Sequence, residues 1–200
     1  MIEQEIKIAI PDRGAFEAIV AAFSADSRQP PRLVEQMNHY FDTADHRLAR
    51  SLVMLRVRQA DRVVVTLKSG TQISDGCFRS RELEGEIAAA DVDRVIADPV
   101  GLYSLDIVPI EVLRTEFGVL PLTLIGNLKN RRHVFEVDEY CVEVDAMRFE
   151  DSGEEFEIEI ESEHPEDARR WCSGRLEALG VGGSPASETK FQRVLRRLGC

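Results

Sequence analysis

Charged residues recur at every second position in stretch after stretch of this sequence, and nothing else in it constrains the fold as tightly. Near the N-terminus Glu3, Glu5 and Lys7 share one phase, with Ile6, Ile8 and Ile10 mostly on the other. Successive side chains of a β-strand point to opposite faces, so a period of two reads as strand. Arg56 and Arg58 oppose Val53, Leu55 and Val57, while Thr66 and Lys68 oppose Val63, Val65 and Leu67. Glu82, Glu84 and Glu86 oppose Leu83 and Ile87; Glu143 and Asp145 oppose Val142 and Val144. Glu157, Glu159 and Glu161 oppose Phe156, Ile158 and Ile160. About eight such strands, mostly joined by short turns, predict an antiparallel meander or a closed barrel.

Two arrangements satisfy this pattern. With the charged faces outward, the molecule is a solvated sheet. With the sheet closed and those faces inward, it is a charged tunnel. The polar faces are almost wholly ionised, and like charges sit two apart on single strands. Their repulsion is small in water and steep in an enclosed space, so enclosed clusters call for neutralising ligands. Carboxylate clusters suit a hard divalent cation. Arg and Lys clusters suit phosphate or carboxylate. Both in one cavity point to a polyphosphate bound as its metal complex.

The remaining segments frame the strands. Asp12 caps a helix with an apolar stripe of Phe16, Ile19, Val20 and Phe23 that ends near Asp26. Residues 44–51 form a short polar or helical connection, and residues 69–76 read as a mobile Gly/Ser-rich loop. Short helices are expected over 91–97 and 109–116, and turns at Asp61-Arg62, Asp138-Glu139 and Ser152-Gly153. Pro165 opens a helix carrying Ala168, Trp171, Cys172, Leu176 and Leu179, stopped at Gly180. A second helix over 184–197 carries Lys190 and ends in a basic turn of Arg193, Arg196 and Arg197 that complements the helix dipole. One domain is expected over residues 1–200, with the C-terminal helices at about 165–198.

Composition enters by exclusion. A net charge of −11 argues against nucleic acid and anionic membranes as partners. No apolar run reaches the length of a spanning helix, and the start lacks the basic and apolar regions of a signal peptide. Cys77, Cys141, Cys172 and Cys200 form no CxxC pair and read as free thiols of a cytoplasmic protein. His39, His46, His133 and His164 are scattered, which argues against a histidine metal site, and His39 reads as structural. Trp171 reads as core.

Glu3-x-Glu5-x-Lys7 resembles the ExExK signature of the CYTH family, the triphosphate tunnel metalloenzymes. The resemblance continues in order through Tyr40-Phe41-Asp42-Thr43, Leu55-Arg56-Val57-Arg58, Thr66-Leu67-Lys68 and Arg81-Glu82-Leu83-Glu84. It then takes in Arg132, Glu143 with Asp145, the alternation from Glu157 to Glu161, and Ser187-Glu188-Thr189-Lys190-Phe191. It implies an α+β, mainly β fold: an eight-stranded antiparallel closed barrel with helices outside. It also implies a divalent metal, Mg²⁺ or Mn²⁺, and a small triphosphate substrate, in a monomer or homodimer. Glu3 and Glu5, with one or two of Glu157, Glu159 and Glu161, and Asp145 as a further candidate, would hold the metal. Glu82, Glu84 and Glu143 are additional acidic candidates. Lys7, Arg56, Arg58, Lys68, Arg132 and Lys190 would grip phosphate, with Glu3, Glu5, Lys7 and Lys68 central to catalysis. Arg81 and Arg131 rank lower because they are out of phase. The implied reaction is release of the terminal phosphate of inorganic triphosphate or a small organic triphosphate. An adenylyl cyclase, or a binder without turnover, is the alternative.

Overall fold

The computed structural model describes residues 2–151 and 153–199. Eight long antiparallel strands close into a barrel: β1 (Ile2–Ile10), β2 (Arg32–Thr43), β3 (Val53–Gln59), β4 (Val63–Ser74), β5 (Cys77–Ile87), β6 (Leu122–Val137), β7 (Tyr140–Phe149) and β8 (Glu154–Glu161). The neighbour order is β5-β4-β3-β2-β6-β7-β8-β1, and pairing of β1 with β5 closes the ring. In the closing register Glu3 meets Ser80 and Glu5 meets Phe78. On its other side Glu5 meets Glu161 and Lys7 meets Glu159. Closure pairs Ile2–Ile6 of β1 with Cys77–Arg81 of β5.

Apolar phases of the strands point out, beneath helices. Ile6, Ile8, Ile10, Val142, Val144, Ile158 and Ile160 pack against Phe16, Ile19 and Phe23 of α1 (Arg13–Asp26) and Ala168, Cys172 and Leu176 of a later helix, Pro165–Ala178. Asp12 starts α1 by accepting the Ala15 N–H at 2.8 Å. On the opposite wall Leu55, Val57, Val65 and Leu67 pack under α3 (Asp91–Ala97) and α4 (Val108–Phe117). Between them runs a 3₁₀ turn over Pro99–Ser104 that the sequence reading did not contain. The short helix α2 (Arg47–Arg50) follows β2, and buried Asp42 holds it by accepting the N–H groups of Leu48 at 2.8 Å and Ala49 at 2.9 Å. The helix Pro165–Ala178 is α5 in chain order. Trp171 packs between Phe23 and Tyr140 and donates to Asp138 Oδ2 at 2.9 Å, in line with a packing role. His39 lies between Asn127 Oδ1 at 2.6 Å and Gln59 Oε1 at 2.8 Å, which is likewise structural.

Two expectations are corrected. Residues 69–76 are not a mobile loop: β4 runs on to Ser74, Ile73 pairs with Phe78, and only Asp75-Gly76 turns. Period-two residues Thr71 and Ile73 sustain the strand, and a bulge between Ser69 and Gln72 absorbs Gly70 at φ +63°. Residues 184–197 are not one helix. Ser184–Pro185 pairs with Ala9 and Ile8 of β1 as a two-residue strand, β9, and α6 spans only Lys190–Arg197. Thr189 sets that start through a reciprocal capping box with Gln192, which leaves Lys190 as the first helical residue. The turn expected at Ser152-Gly153 and the thiol of Cys200 involve residues outside those described. Cys77, Cys141 and Cys172 are free.

A third apolar cluster lies inside the barrel. Phe191 and Val194 of α6 pack on Tyr40, Leu128, Met147 and Phe149, and Tyr40 and Phe191 stack with centroids 5.2 Å apart. Gly126 permits this approach, because a Cβ there would lie 2.9 Å from Val194 Cγ1. Helix α6 thereby plugs part of one barrel end and hands Lys190 to the interior.

Candidate active site

With the isoleucines of β1 outward, Glu3, Glu5 and Lys7 must point inward, and the same logic turns the charged phases of β3, β4, β5, β7 and β8 to the interior. They surround a cavity of about 680 Å³. Glu3, Glu5, Lys7, Arg56, Arg58, Lys68, Glu82, Glu84, Arg132, Glu143, Glu159, Glu161 and Lys190 all line it. Asp145 and Glu157 are fully buried behind this lining. Arg81 and Arg131 face outward and pair with Glu116 and Glu35 at 3.1 and 2.7 Å. Glu86 lies at the rim, 3.3 Å from Arg62.

The charges sort into three groups. At the plugged side, Asp145, Glu157 and Glu159 bring carboxylate oxygens within 4.8 Å of one another. Cations saturate them. Lys190 Nζ contacts Asp145, Glu157 and Glu159 at 2.8, 2.5 and 2.7 Å. Arg132 forms a fork on Asp145, at 2.8 and 2.6 Å, and also contacts Glu143 and Glu159. Lys7 bridges Glu159 and Glu5, at 3.0 Å from the latter, and lies 5.4 Å from the Phe78 ring centroid. Burial alone would raise the Asp145 and Glu159 carboxyls. Arg132 and Lys190 hold Asp145 below its ordinary range, and Lys190, Lys7 and Arg132 hold Glu159 well below.

The second group centres on Lys68. Lys68 Nζ lies 2.5 Å from Glu3, 3.4 Å from Glu5 and 2.9 Å from Glu82, so three carboxylates converge on one ammonium. Burial, a hydrogen bond with Glu82 and the charge of Glu5 push Glu3 up to about 8. Glu82 is held at about 2: burial opposes this, and the hydrogen bond from Glu3 and the Lys68 charge outweigh it.

The third group is positive. Burial and, before it, the neighbouring Arg56 charge lower the Arg58 guanidinium from its ordinary value; Glu84 at 3.2 Å opposes the effect. Arg56 helps hold the Glu82 carboxyl down through its charge. It donates to Thr66 Oγ1 at 3.2 Å, whose hydroxyl in turn donates to Glu84 at 3.0 Å.

The donor set tests the implied metal. It is all carboxylate oxygen, which suits Mg²⁺ or Mn²⁺ over softer ions. A cation entering Asp145–Glu157–Glu159 would have to displace Lys190 or Arg132. Glu3, Glu5 and Glu82, with Glu161 opposite Glu5 in register, offer a second set of carboxylate oxygens on the cavity wall.

Sequence reasoning missed Arg193. Expected only as part of the basic last turn, it is buried, donates to Glu157 Oε2 at 2.5 Å and to the Glu188 carbonyl at 3.2 Å, and lies 3.6 Å from Glu155. Its spacing of three residues from Lys190 was the available signal, since both then share a helix face.

A closed antiparallel barrel whose interior carries opposed carboxylate and guanidinium groups defines a charged-tunnel protein. The chain belongs to the CYTH domain family, whose sequence profile matches residues 1–171. No curated sequence relative matches. Among solved structures it is similar to a Hippeastrum protein, HpAC1, described as an adenylyl cyclase candidate with dominant triphosphatase activity. Identity is 29% over 98% of this chain and 96% of that one, with a TM-score of 0.89. It is also similar to a Bacillus halodurans adenylate cyclase candidate at 20% identity, covering 96% of this chain and 97% of that one, with a TM-score of 0.74.

Proposed function

We propose that the protein is a metal-dependent triphosphatase that releases the terminal phosphate of inorganic triphosphate or a small organic triphosphate. The observation carrying this is that Arg56 and Arg58 share one cavity with the carboxylates of Glu3, Glu5 and Glu82, which converge on Lys68. A polyphosphate completes the arginines, and its divalent cation completes the carboxylates. The triphosphatase activity described for the Hippeastrum protein supports the reading.

In this account Arg56 and Arg58 take phosphate oxygens first, as two forks on one strand face. Lys68, Lys7, Arg132 and Lys190 hold the phosphates deeper in the tunnel. Glu3 and Glu5, aided by Glu82 and Glu161, would hold Mg²⁺ or Mn²⁺. When bound, that ion neutralises charge on the transferring group and leaving pyrophosphate and makes water a better nucleophile. Asp145 and Glu157 keep Arg132, Lys190 and Arg193 fixed rather than binding metal. No helix among the described residues is long and apolar enough to cross a membrane, and we place the enzyme in the cytoplasm.

The test is phosphate release from inorganic triphosphate and from ATP with Mg²⁺, Mn²⁺ or chelator, beside Glu5→Gln. Metal-dependent release that Glu5→Gln loses supports the proposal. Cyclic AMP and pyrophosphate from ATP would identify a cyclase instead, and tight binding without turnover a binder.

A further inference from the structure

The two arginines of β3 face the cavity from successive inward positions, and their neighbours on β4 differ. Arg56 lies opposite Thr66, and Thr66 lies opposite Glu84 of β5. Arg58 lies opposite Val64, and Val64 lies opposite Glu86. Directly opposed residues on one face of an antiparallel pair bring their side chains together. One row across three strands therefore runs guanidinium, hydroxyl, carboxylate. The other places an apolar side chain beside its arginine.

Thr66 itself is fully buried, behind Arg56, Arg58 and Glu84, which line the cavity. Its hydroxyl accepts from Arg56 Nη2 at 3.2 Å and donates to Glu84 Oε1 at 3.0 Å. Chemistry fixes that direction, because a guanidinium only donates and an ionised carboxylate only accepts. The same Glu84 oxygen accepts from Arg58 Nη2 at 3.2 Å. Arg58 thus meets the carboxylate directly, and Arg56 is joined to it through Thr66. The β-branched threonine is stiff at χ1, so its buried hydroxyl makes a rigid anchor.

A hydroxyl and a carboxylate act differently on a guanidinium. A carboxylate cancels its charge and competes with phosphate for the same donors. A hydroxyl is neutral, so it fixes the side chain and leaves the charge in place. The Arg56 charge is indeed felt by its neighbours. It is the largest influence lowering the Arg58 guanidinium, and it joins Glu3 and Lys68 in holding Glu82 down against burial. An arginine already held in one arrangement also gives up less rotamer freedom when it grips an anion.

We propose that Thr66 is a positioning residue whose hydroxyl sets Arg56 for the phosphate chain without neutralising it. The proposal rests on the reading of this cavity as a triphosphate site and adds a residue that touches no substrate. Thr66 acts through Arg56, so loss of the hydroxyl weakens the grip on triphosphate and leaves the chemical step alone. Without the hydroxyl, Arg56 is released to turn toward Glu84, where its charge is spent on a carboxylate.

Thr66→Val keeps the shape and removes the hydroxyl, while Thr66→Ser keeps the hydroxyl. Both are compared with the wild type in KM and kcat on inorganic triphosphate with Mg²⁺ or Mn²⁺. Their affinity for inorganic triphosphate is also measured by calorimetry in chelator. Thr66→Val should raise KM and weaken affinity by about tenfold with kcat little changed, the scale of one hydrogen bond to a charged group. Thr66→Ser should stay within about threefold of the wild type, because the bond is kept. Arg56→Ala removes the partner, so adding Thr66→Val to it should cost nothing further. A Thr66→Val enzyme that binds like the wild type would overturn the proposal. So would a Thr66→Ser enzyme as weak as Thr66→Val, or a Thr66→Val loss that persists undiminished on the Arg56→Ala background. A lowered unfolding midpoint with kcat reduced at unchanged KM would show a structural role and overturn it as well. A wild type that turns over no triphosphate with either metal would remove the triphosphatase reading alone, and the calorimetric comparison would then decide the role of Thr66. A wild type that neither turns over nor binds triphosphate would remove both.

Discussion

At the scale of single residues, the site depends on charges left incomplete. Arg56 faces the cavity and donates to the Thr66 hydroxyl, so its removal should cost little stability and much phosphate binding. Arg56→Ala is expected to lower kcat/KM on triphosphate by about 100-fold, the worth of a charge-assisted fork, with an unchanged unfolding midpoint. Arg56→Lys should recover little, because an ammonium cannot reproduce the fork. Glu3 gives a pH prediction. Its folded carboxyl titrates at about 8 against an ordinary 4.5, so between those values the folded state binds more protons than the unfolded one. Its contribution is therefore fully present below 4.5 and is lost as pH rises through about 8. Thermal midpoints of metal-free protein should fall across this window more steeply than those of Glu3→Gln. Excess Mg²⁺ should flatten the difference by taking the proton's place. Identical slopes for the two proteins would contradict the assignment.

At the scale of elements, α6 decides whether the plugged side is assembled. Arg193 holds Glu157, which in turn holds Lys190. Arg193→Met leaves a buried carboxylate short of a partner and should destabilise the fold by about 3–5 kcal/mol in denaturant unfolding. Adding Glu157→Gln should return much of that loss. Thr189→Ala removes the capping box and should cost about 1 kcal/mol. Gly126→Val drives a side chain into Val194 and should displace the helix, lowering activity along with stability. The inward strands were legible because alternation survives in sequence whatever closes the barrel. Residues 69–76 were not, because Gly and Ser mark both loops and bulged strands, and only pairing with β5 distinguishes them. The late start of α6 was hidden because the Thr189 cap competes with a longer helical pattern that only the β9 pairing breaks. Arg193 was hidden because a basic last turn satisfies the helix dipole whether solvated or buried.

At the scale of the molecule, the barrel sets charges of both signs around one enclosed volume and leaves them unevenly matched. Inward phases and closure could be read from sequence, and the residues that line the cavity follow from them. Which carboxylates are saturated by cations and which await one could not, since that depends on distances across the barrel. Glu157 and Glu159 stood beside Glu3 and Glu5 as metal candidates, with Asp145 as a further one; Lys190, Arg132 and Arg193 set them apart. The most direct measurement is phosphate release from inorganic triphosphate by wild type and Arg56→Ala, each with Mg²⁺, Mn²⁺ or chelator. The account predicts release that requires the divalent ion and is largely lost in the folded variant. Release unaffected by chelator, release equal in wild type and variant, or none from the wild type under any metal would contradict it.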